Sequence, residues 1–184
     1  MEQQKAYKYR FYPTDEQKHI LARTFGCCRY VYNWALHVRS DAYAQEKKRL
    51  YYSDLSAALT QLKKQEDMGW LSEVSSVPVQ QSLRHLDKAY LNFFKGNAKY
   101  PTFKKKQNQQ SATYAMTAFQ WDGKRLTLAK MAEPLDIRWS RSLPKGSKPS
   151  TITVSKDPAD RYACLNPGRA GYSPSSVSRA NGRG

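Results

Sequence analysis

Apolar and polar residues change their period twice along this chain, and each change marks a change of element. From Tyr7 to Tyr12 the run YKYRFY alternates, so Tyr7, Tyr9 and Phe11 share one face of a strand while Lys8 and Arg10 share the other. Pro13 ends that ladder, and Thr14 followed by Gln17 gives a capping-box spacing that starts a helix. Leu21, Phe25, Cys28, Tyr32 and Ala35 then recur at helical spacing as one apolar stripe, with Arg23, Arg29 and Arg39 largely outside it. A second helix is expected from a Ser53 cap, with Leu55, Leu59 and Leu62 on one face, ending near Met68-Gly69. The Ser75-Ser76-Val77-Pro78 entry opens the most regular helix, carrying Leu83, Leu86, Tyr90 and Phe93 inward and Arg84, Asp87, Lys88 and Lys95 mostly outward, until Gly96-Asn97.

Beyond Gly96 the period shortens. Strand-like runs are expected around Thr113–Trp121, Arg125–Ala129, Leu135–Trp139 and Ser150–Val154, separated by Asp122-Gly123, Pro134 and Pro144-Gly146 turns. A chain that begins with a strand, passes through helices and finishes in strands is most economically an α+β fold, with a β-rich unit interrupted by a helical insertion. Composition and resemblance together divide it into 1–45, 46–98, 99–163 and a tail of 164–184.

Charge decides the class of partner. The chain has 184 residues, 40% of them hydrophobic, with 31 Lys plus Arg against 15 Asp plus Glu, a formal net charge of +16. Such a field favours a polyanion through phosphate contacts and counterion release, nucleic acid before an anionic membrane. No run approaches the roughly 20 apolar residues that span a bilayer, and the N-terminus lacks the apolar core of a secretion signal, so a cytoplasmic protein is expected. Adjacent Cys27 and Cys28 with a solitary Cys164 give neither a disulfide framework nor CxxC spacing. His19, His37 and His85 have no Cys, Asp or Glu companion at ligand spacing, and no metal site is assigned.

The segment Tyr100–Lys106, YPTFKKK, interleaves aromatics with Lys104, Lys105 and Lys106 just after Lys99, a mixture suited to base stacking plus phosphate neutralisation. A solvated basic loop anchored by its aromatics reads equally well. With the strand and helix cations, the candidate nucleic-acid-binding set is Lys8, Arg10, Arg23, Arg29, Lys99, Tyr100, Lys104, Lys105 and Lys106. No catalytic residue is assigned. There is no Ser/His/Asp arrangement, Gly-rich phosphate loop or paired-histidine nuclease motif, and Tyr30, Tyr32, Trp34 and Trp139 read as packing residues.

Several stretches taken together resemble a known family. YKYRFYPTDEQ with FGCCRYVYNWAL, then WLSEVSSVPVQQSLRHLDKAYLNFF, YPTFKKK, and IRWSRSLPKG with STITVSKD are similar, in order, to the N-terminal half of the OrfB/TnpB insertion-sequence transposases, RNA-guided DNA nucleases related to type V CRISPR effectors. The resemblance covers about Lys5 to Tyr162. It implies a wedge-like β-barrel of the first strand and the late strands, interrupted by a helical recognition insertion, the opening segment being the one usually termed helix-turn-helix. In the family these parts hold a guide RNA and help read a short DNA motif, while a RuvC-like domain that follows cuts.

After SKDPADRYAC the chain departs from that pattern. Where the family presents an apolar strand and then Asp- and Glu-bearing strands and a Cys-rich module, this chain continues LNPGRAGYSPSSVSRANGRG, without an acidic residue. Two-metal hydrolysis needs several convergent carboxylates, and Asp157 and Asp160 in a turn-like DPAD are not nominated. The family's Mg²⁺ and Zn²⁺ sites would lie in a missing part, so no cofactor is expected in this chain. The tail reads as truncation or as a disordered basic arm. The expected function is nucleic-acid binding, of guide RNA or element DNA, without a nuclease. A sequence-specific DNA-binding regulator, which a homodimer would suit, and an inactive decay product of a mobile element stay open.

Overall fold

The computed structural model describes residues 5–143, 146 and 148–169. Strand β1, Lys5–Phe11, leads into helix α1, Asp15–Glu46, one unbroken run of 32 residues. Its start follows the predicted chemistry. The Gln17 backbone N–H donates to Thr14 Oγ1 at 3.2 Å and the Thr14 N–H donates to Gln17 Oε1 at 3.0 Å. Asp15 and Glu16 in the first turn suit the positive end of the helix dipole. The helix stops at Lys47, which adopts a left-handed conformation (φ 53°).

Helix α2 spans Tyr52–Lys63 and α3 spans Ser76–Phe94, with a 3₁₀ segment, Glu66–Ser72, between them. The expected Ser53 cap is not used. Asp54 accepts instead from the Tyr51 N–H at 2.9 Å, and the cap falls at Tyr51, two residues earlier. It also ends earlier than expected, at Lys63, and Met68-Gly69 fall within the 3₁₀ segment. Leu55 and Leu59 are buried and Leu62 is partly so.

The β region contains β2 (Gln110–Ala115), β3 (Phe119–Trp121), β4 (Leu126–Leu128), β5 (Ile137–Arg138), β6 (Lys148–Pro149), β7 (Thr151–Lys156) and β8 (Tyr162–Arg169). β3 and β4 form a separate hairpin over Asp122-Gly123, where Asp122 Oδ1 accepts from the Lys124 and Arg125 N–H groups and Gly123 takes φ +97°. The others form one antiparallel sheet in the order β2-β7-β8-β1-β5, with β6 paired to β8. One buried row, Ala112, Val154, Cys164 and Tyr9, crosses four strands in register.

One expectation changes here. The first strand and the late strands do assemble together across the helical insertion, but as an open sheet and not a closed barrel. Among the described residues no ladder joins β2 to β5, and β5, only two residues long, reaches just the Arg10-Phe11 end of β1. The residues after Cys164 continue the last strand as far as Arg169. β8 lies between β7 and β1, and partners on both sides draw the Gly/Pro-containing stretch into the ladder. The rest of the tail, 170–184, lies outside the described residues.

Two hydrophobic cores result, and α1 contributes to both. Leu21, Phe25 and Cys28 face the sheet with Tyr9, Phe11, Tyr114, Ile152 and Val154. Cys27, Val31, Tyr32, Ala35 and Leu36 face α2, the 3₁₀ segment and α3, meeting Leu55, Leu59, Leu71, Leu83 and Leu86. Trp34 is a partly buried neighbour of the second core, and Trp139 is a half-exposed anchor whose ring meets Tyr9 edge-on at 4.8 Å.

Candidate nucleic-acid interface

Strand alternation places Lys8 and Arg10 on the exposed face of β1, opposite the buried Tyr9 and Phe11. They line a concavity of about 280 Å³ with Gln109, Ser155, Asp157, Arg161 and Tyr162. A neighbouring concavity of about 390 Å³ lies between α1, the 106–110 loop and the β7–β8 turn, lined by Arg29, Lys106, Lys156, Asp157 and Tyr162 among others. Asp157 and Tyr162 border both. Six cations from four parts of the chain, Lys8, Arg10, Arg29, Lys106, Lys156 and Arg161, therefore surround one recessed surface.

The two carboxylates there are engaged. The Arg161 backbone N–H and then the Arg161 guanidinium (Nε to Oδ2, 2.7 Å) bond Asp157 and hold its carboxyl below the usual range. Lys156 Nζ lies 2.9 Å from Asp160, a hydrogen bond that raises the lysine pKa. Among the described residues none of Lys8, Arg10, Arg29 or Lys106 has a carboxylate within ion-pair distance.

The lysine-rich loop is strapped to its surroundings by two amides. Asn33 of α1 donates from Nδ2 to the Lys104 carbonyl at 3.0 Å and accepts from the Lys104 N–H at 2.8 Å. Gln110 Nε2 donates to the carbonyls of Lys105, Lys106 and Asn108, while its Oε1 accepts from Arg29 Nη1 at 2.7 Å. The loop backbone is thus fixed, and Lys104, Lys105 and Lys106 are all exposed. Neither amide stood out in the sequence, where each is one polar residue among many. Lys156 and Arg161 were also missed, although their positions flanking the DPAD turn were a signal.

The predicted residues do not all converge. Arg23 points elsewhere, 3.9 Å from Glu73. Lys104 extends its ammonium over the Tyr32 ring at 4.4 Å, and lost hydration there lowers its pKa. Lys99 is exposed. Tyr100 joins a different cluster, with its hydroxyl 2.9 Å from those of Ser40 and Tyr90.

Burial pushes the thiols of Cys28 and Cys164 up to about 12 and that of Cys27 to about 11, so all three are protonated at neutral pH. Among the described residues no three His, Cys, Asp or Glu side chains converge to hold a metal ion, and no helix is long and apolar enough to cross a membrane.

Residues 1–48 match a family model described as the helix-turn-helix domain of OrfB proteins. In this chain the described part of that range is β1 and the single helix α1, which passes through Gly26 without a turn. A Streptomyces pristinaespiralis protein described as a "Putative RNA-guided DNA endonuclease" is 57% identical over 159 residues, which cover 86% of this chain and 40% of the relative. InsQ of Escherichia coli K12, with the same description, is 30% identical over 90% of this chain and 40% of its own length. Virulence protein VsdF of Salmonella dublin is 34% identical over 114 residues, 57% of this chain and 96% of the relative. The chain thus spans about two-fifths of the length of the two endonuclease-described relatives it matches. These similarities, running from the opening strand into the late sheet, establish that the chain belongs to the OrfB/TnpB insertion-sequence transposase family and corresponds to its N-terminal part.

Proposed function

We propose that this chain binds nucleic acid, the guide RNA or the DNA of its insertion element, through the recessed cationic surface of β1, α1, the 104–110 loop and the β7–β8 turn, and that it carries no nuclease chemistry of its own. The observation that carries the reading is the convergence of Lys8, Arg10, Arg29 and Lys106 from separate elements around two confluent concavities whose carboxylates are already engaged. Cations held on a rigid backbone bind phosphates at little ordering cost. The names of the relatives, RNA-guided DNA endonucleases, support RNA and DNA as the polyanions to try first.

The test is fluorescence anisotropy with labelled RNA and duplex DNA across a salt series, with a nuclease-digested control. Binding that weakens steeply with salt, without cleavage, is expected. Affinity indifferent to salt would refute it. A DNA regulator using α1 as a recognition helix is a weaker reading, favoured by the description of the matched family model. α1 buries residues along its length against both cores, and Arg23 on it is turned toward Glu73. A defined footprint lost on replacing Arg23 would favour that reading, and absence of cooperative unfolding would favour the decay product.

A further inference from the structure

A third concavity, of about 660 Å³, lies toward the C-terminal end of α1, where Arg39 and Tyr43 face α3 and the chain around Arg49. Its walls are aromatic. Phe94 lies against Tyr90 in a stacked arrangement (6.2 Å, 26°), and Tyr100 meets Phe93 edge-on at 5.2 Å. Much of this surface is open: Phe94 is 65% exposed, Leu91 52% and Tyr43 50%. Large apolar groups gathered in one exposed place mark a binding surface more often than chance.

The rim identifies the chemistry. Lys48, Arg49 and Lys88 line the concavity, and Arg49 sits 5.8 Å from the Phe94 ring centre. The lining carboxylate, Asp87, is paired with Arg39, whose guanidinium also lies 4.1 Å over the Tyr90 ring. The hydroxyls of Ser40, Tyr90 and Tyr100 contact one another at 2.9 to 3.3 Å. In such a closed ring each hydroxyl donates once and keeps a spare lone pair, so the ring can accept from a ligand N–H.

We propose that this concavity takes an unpaired nucleotide of single-stranded nucleic acid, its base stacked on Phe94 and its phosphate held by Arg49 and Lys48. Aromatic faces with cations at their edges suit a base and its phosphate together. An apolar peptide would have no use for three rim cations, and a base inside a duplex cannot reach the aromatic wall. The proposal rests on the nucleic-acid reading above but uses a different surface.

The experiment uses the whole chain with 2-aminopurine placed in a single-stranded RNA, in the matching DNA strand and in the duplex, reading quenching by stacking together with affinity. Quenching with either or both single strands, and not the duplex, is expected and shows which sugar is preferred. Phe94→Leu, which keeps an apolar side chain without a π face, and Arg49→Gln should each weaken single-strand binding about tenfold. Phe94→Leu should also restore fluorescence. Both residues are exposed, and a thermal melt verifies that each variant folds. Duplex affinity should be unchanged in both. Single-strand binding with no quenching, or quenching untouched by Phe94→Leu, overturns the nucleotide pocket and leaves the cationic surface standing. Absence of binding to any nucleic acid overturns both.

Discussion

Replacing Lys8, Arg10 and Lys106 together by Gln separates the cationic surface from general basicity. All three side chains are exposed, so the fold should survive. With Arg29 they make four cations without a carboxylate partner among the described residues. If each neutralises one phosphate of a single strand, they contribute about 2.8 to the slope of log affinity against log salt, at roughly 0.7 per contact. Between about 50 and 200 mM salt that is a loss of roughly 50-fold, and in the triple variant, with only Arg29 left, roughly 3-fold. Anisotropy titrations at four or five salt concentrations measure the slope directly. Lys104→Ala is the internal control, since its ammonium is occupied by the Tyr32 ring. It should cost about 0.5–1 kcal/mol of stability and leave the slope nearly unchanged. A triple variant with the wild-type slope, or a Lys104→Ala slope reduced as much as that of Lys106→Ala, would refute the assignment.

Other outcomes follow from the fold. Thr14→Ala removes the acceptor for the Gln17 N–H and should destabilise the chain by about 1 kcal/mol in urea unfolding, with Thr14→Ser restoring most of it. Arg39→Met leaves Asp87 without its partner at a side chain only 33% exposed, and should cost about 2–3 kcal/mol in the same assay. Alkaline pH should destabilise the protein. The Cys28 and Cys164 thiols are raised from an ordinary value of 9.0 to about 12, so above pH 9 the unfolded chain loses protons that the folded chain keeps. Stability then falls by up to about 1.4 kcal/mol per pH unit per thiol until the folded values are reached, which denaturant titrations at pH 8, 9 and 10 will read. The same thiols should resist iodoacetamide in the native protein and react promptly in denaturant.

Local signals in the sequence translated well where one element decides its own structure. The Thr14/Gln17 cap and the Tyr9/Phe11 face are set by neighbours a few residues away and stand as read, while the Leu21–Ala35 stripe is buried throughout but divided, Leu21, Phe25 and Cys28 meeting one core and Tyr32 and Ala35 the other. What escaped depends on distant partners. The second buried stripe of α1, through Cys27, Val31 and Leu36, acquires meaning only when α2 and α3 are there to cover it. Gln17 is buried because its amide also donates to the carbonyls of Glu133 and Pro134, more than 100 residues away. β8 lies outside the strand-like runs legible in the sequence and is a strand with a ladder on each side. The candidate site behaved alike: Lys8 and Arg10 were legible from alternation, whereas the Lys156 and Arg161 contributions, and the departure of Arg23 and Lys104 toward Glu73 and Tyr32, are tertiary facts.

Because α1 lends Leu21, Phe25 and Cys28 to one core and Val31, Ala35 and Leu36 to the other, neither half can melt alone without stripping a face from the helix the other half needs. Heat and denaturant should therefore give one transition with a single midpoint by every probe. The same sharing makes residues 1–48 a poor candidate for excision. Cut away from Gln110–Cys164 and from Tyr52–Phe94, that segment would carry two uncovered apolar stripes into water, and its natural fate is aggregation. Its apolar faces are both completed by the rest of the chain.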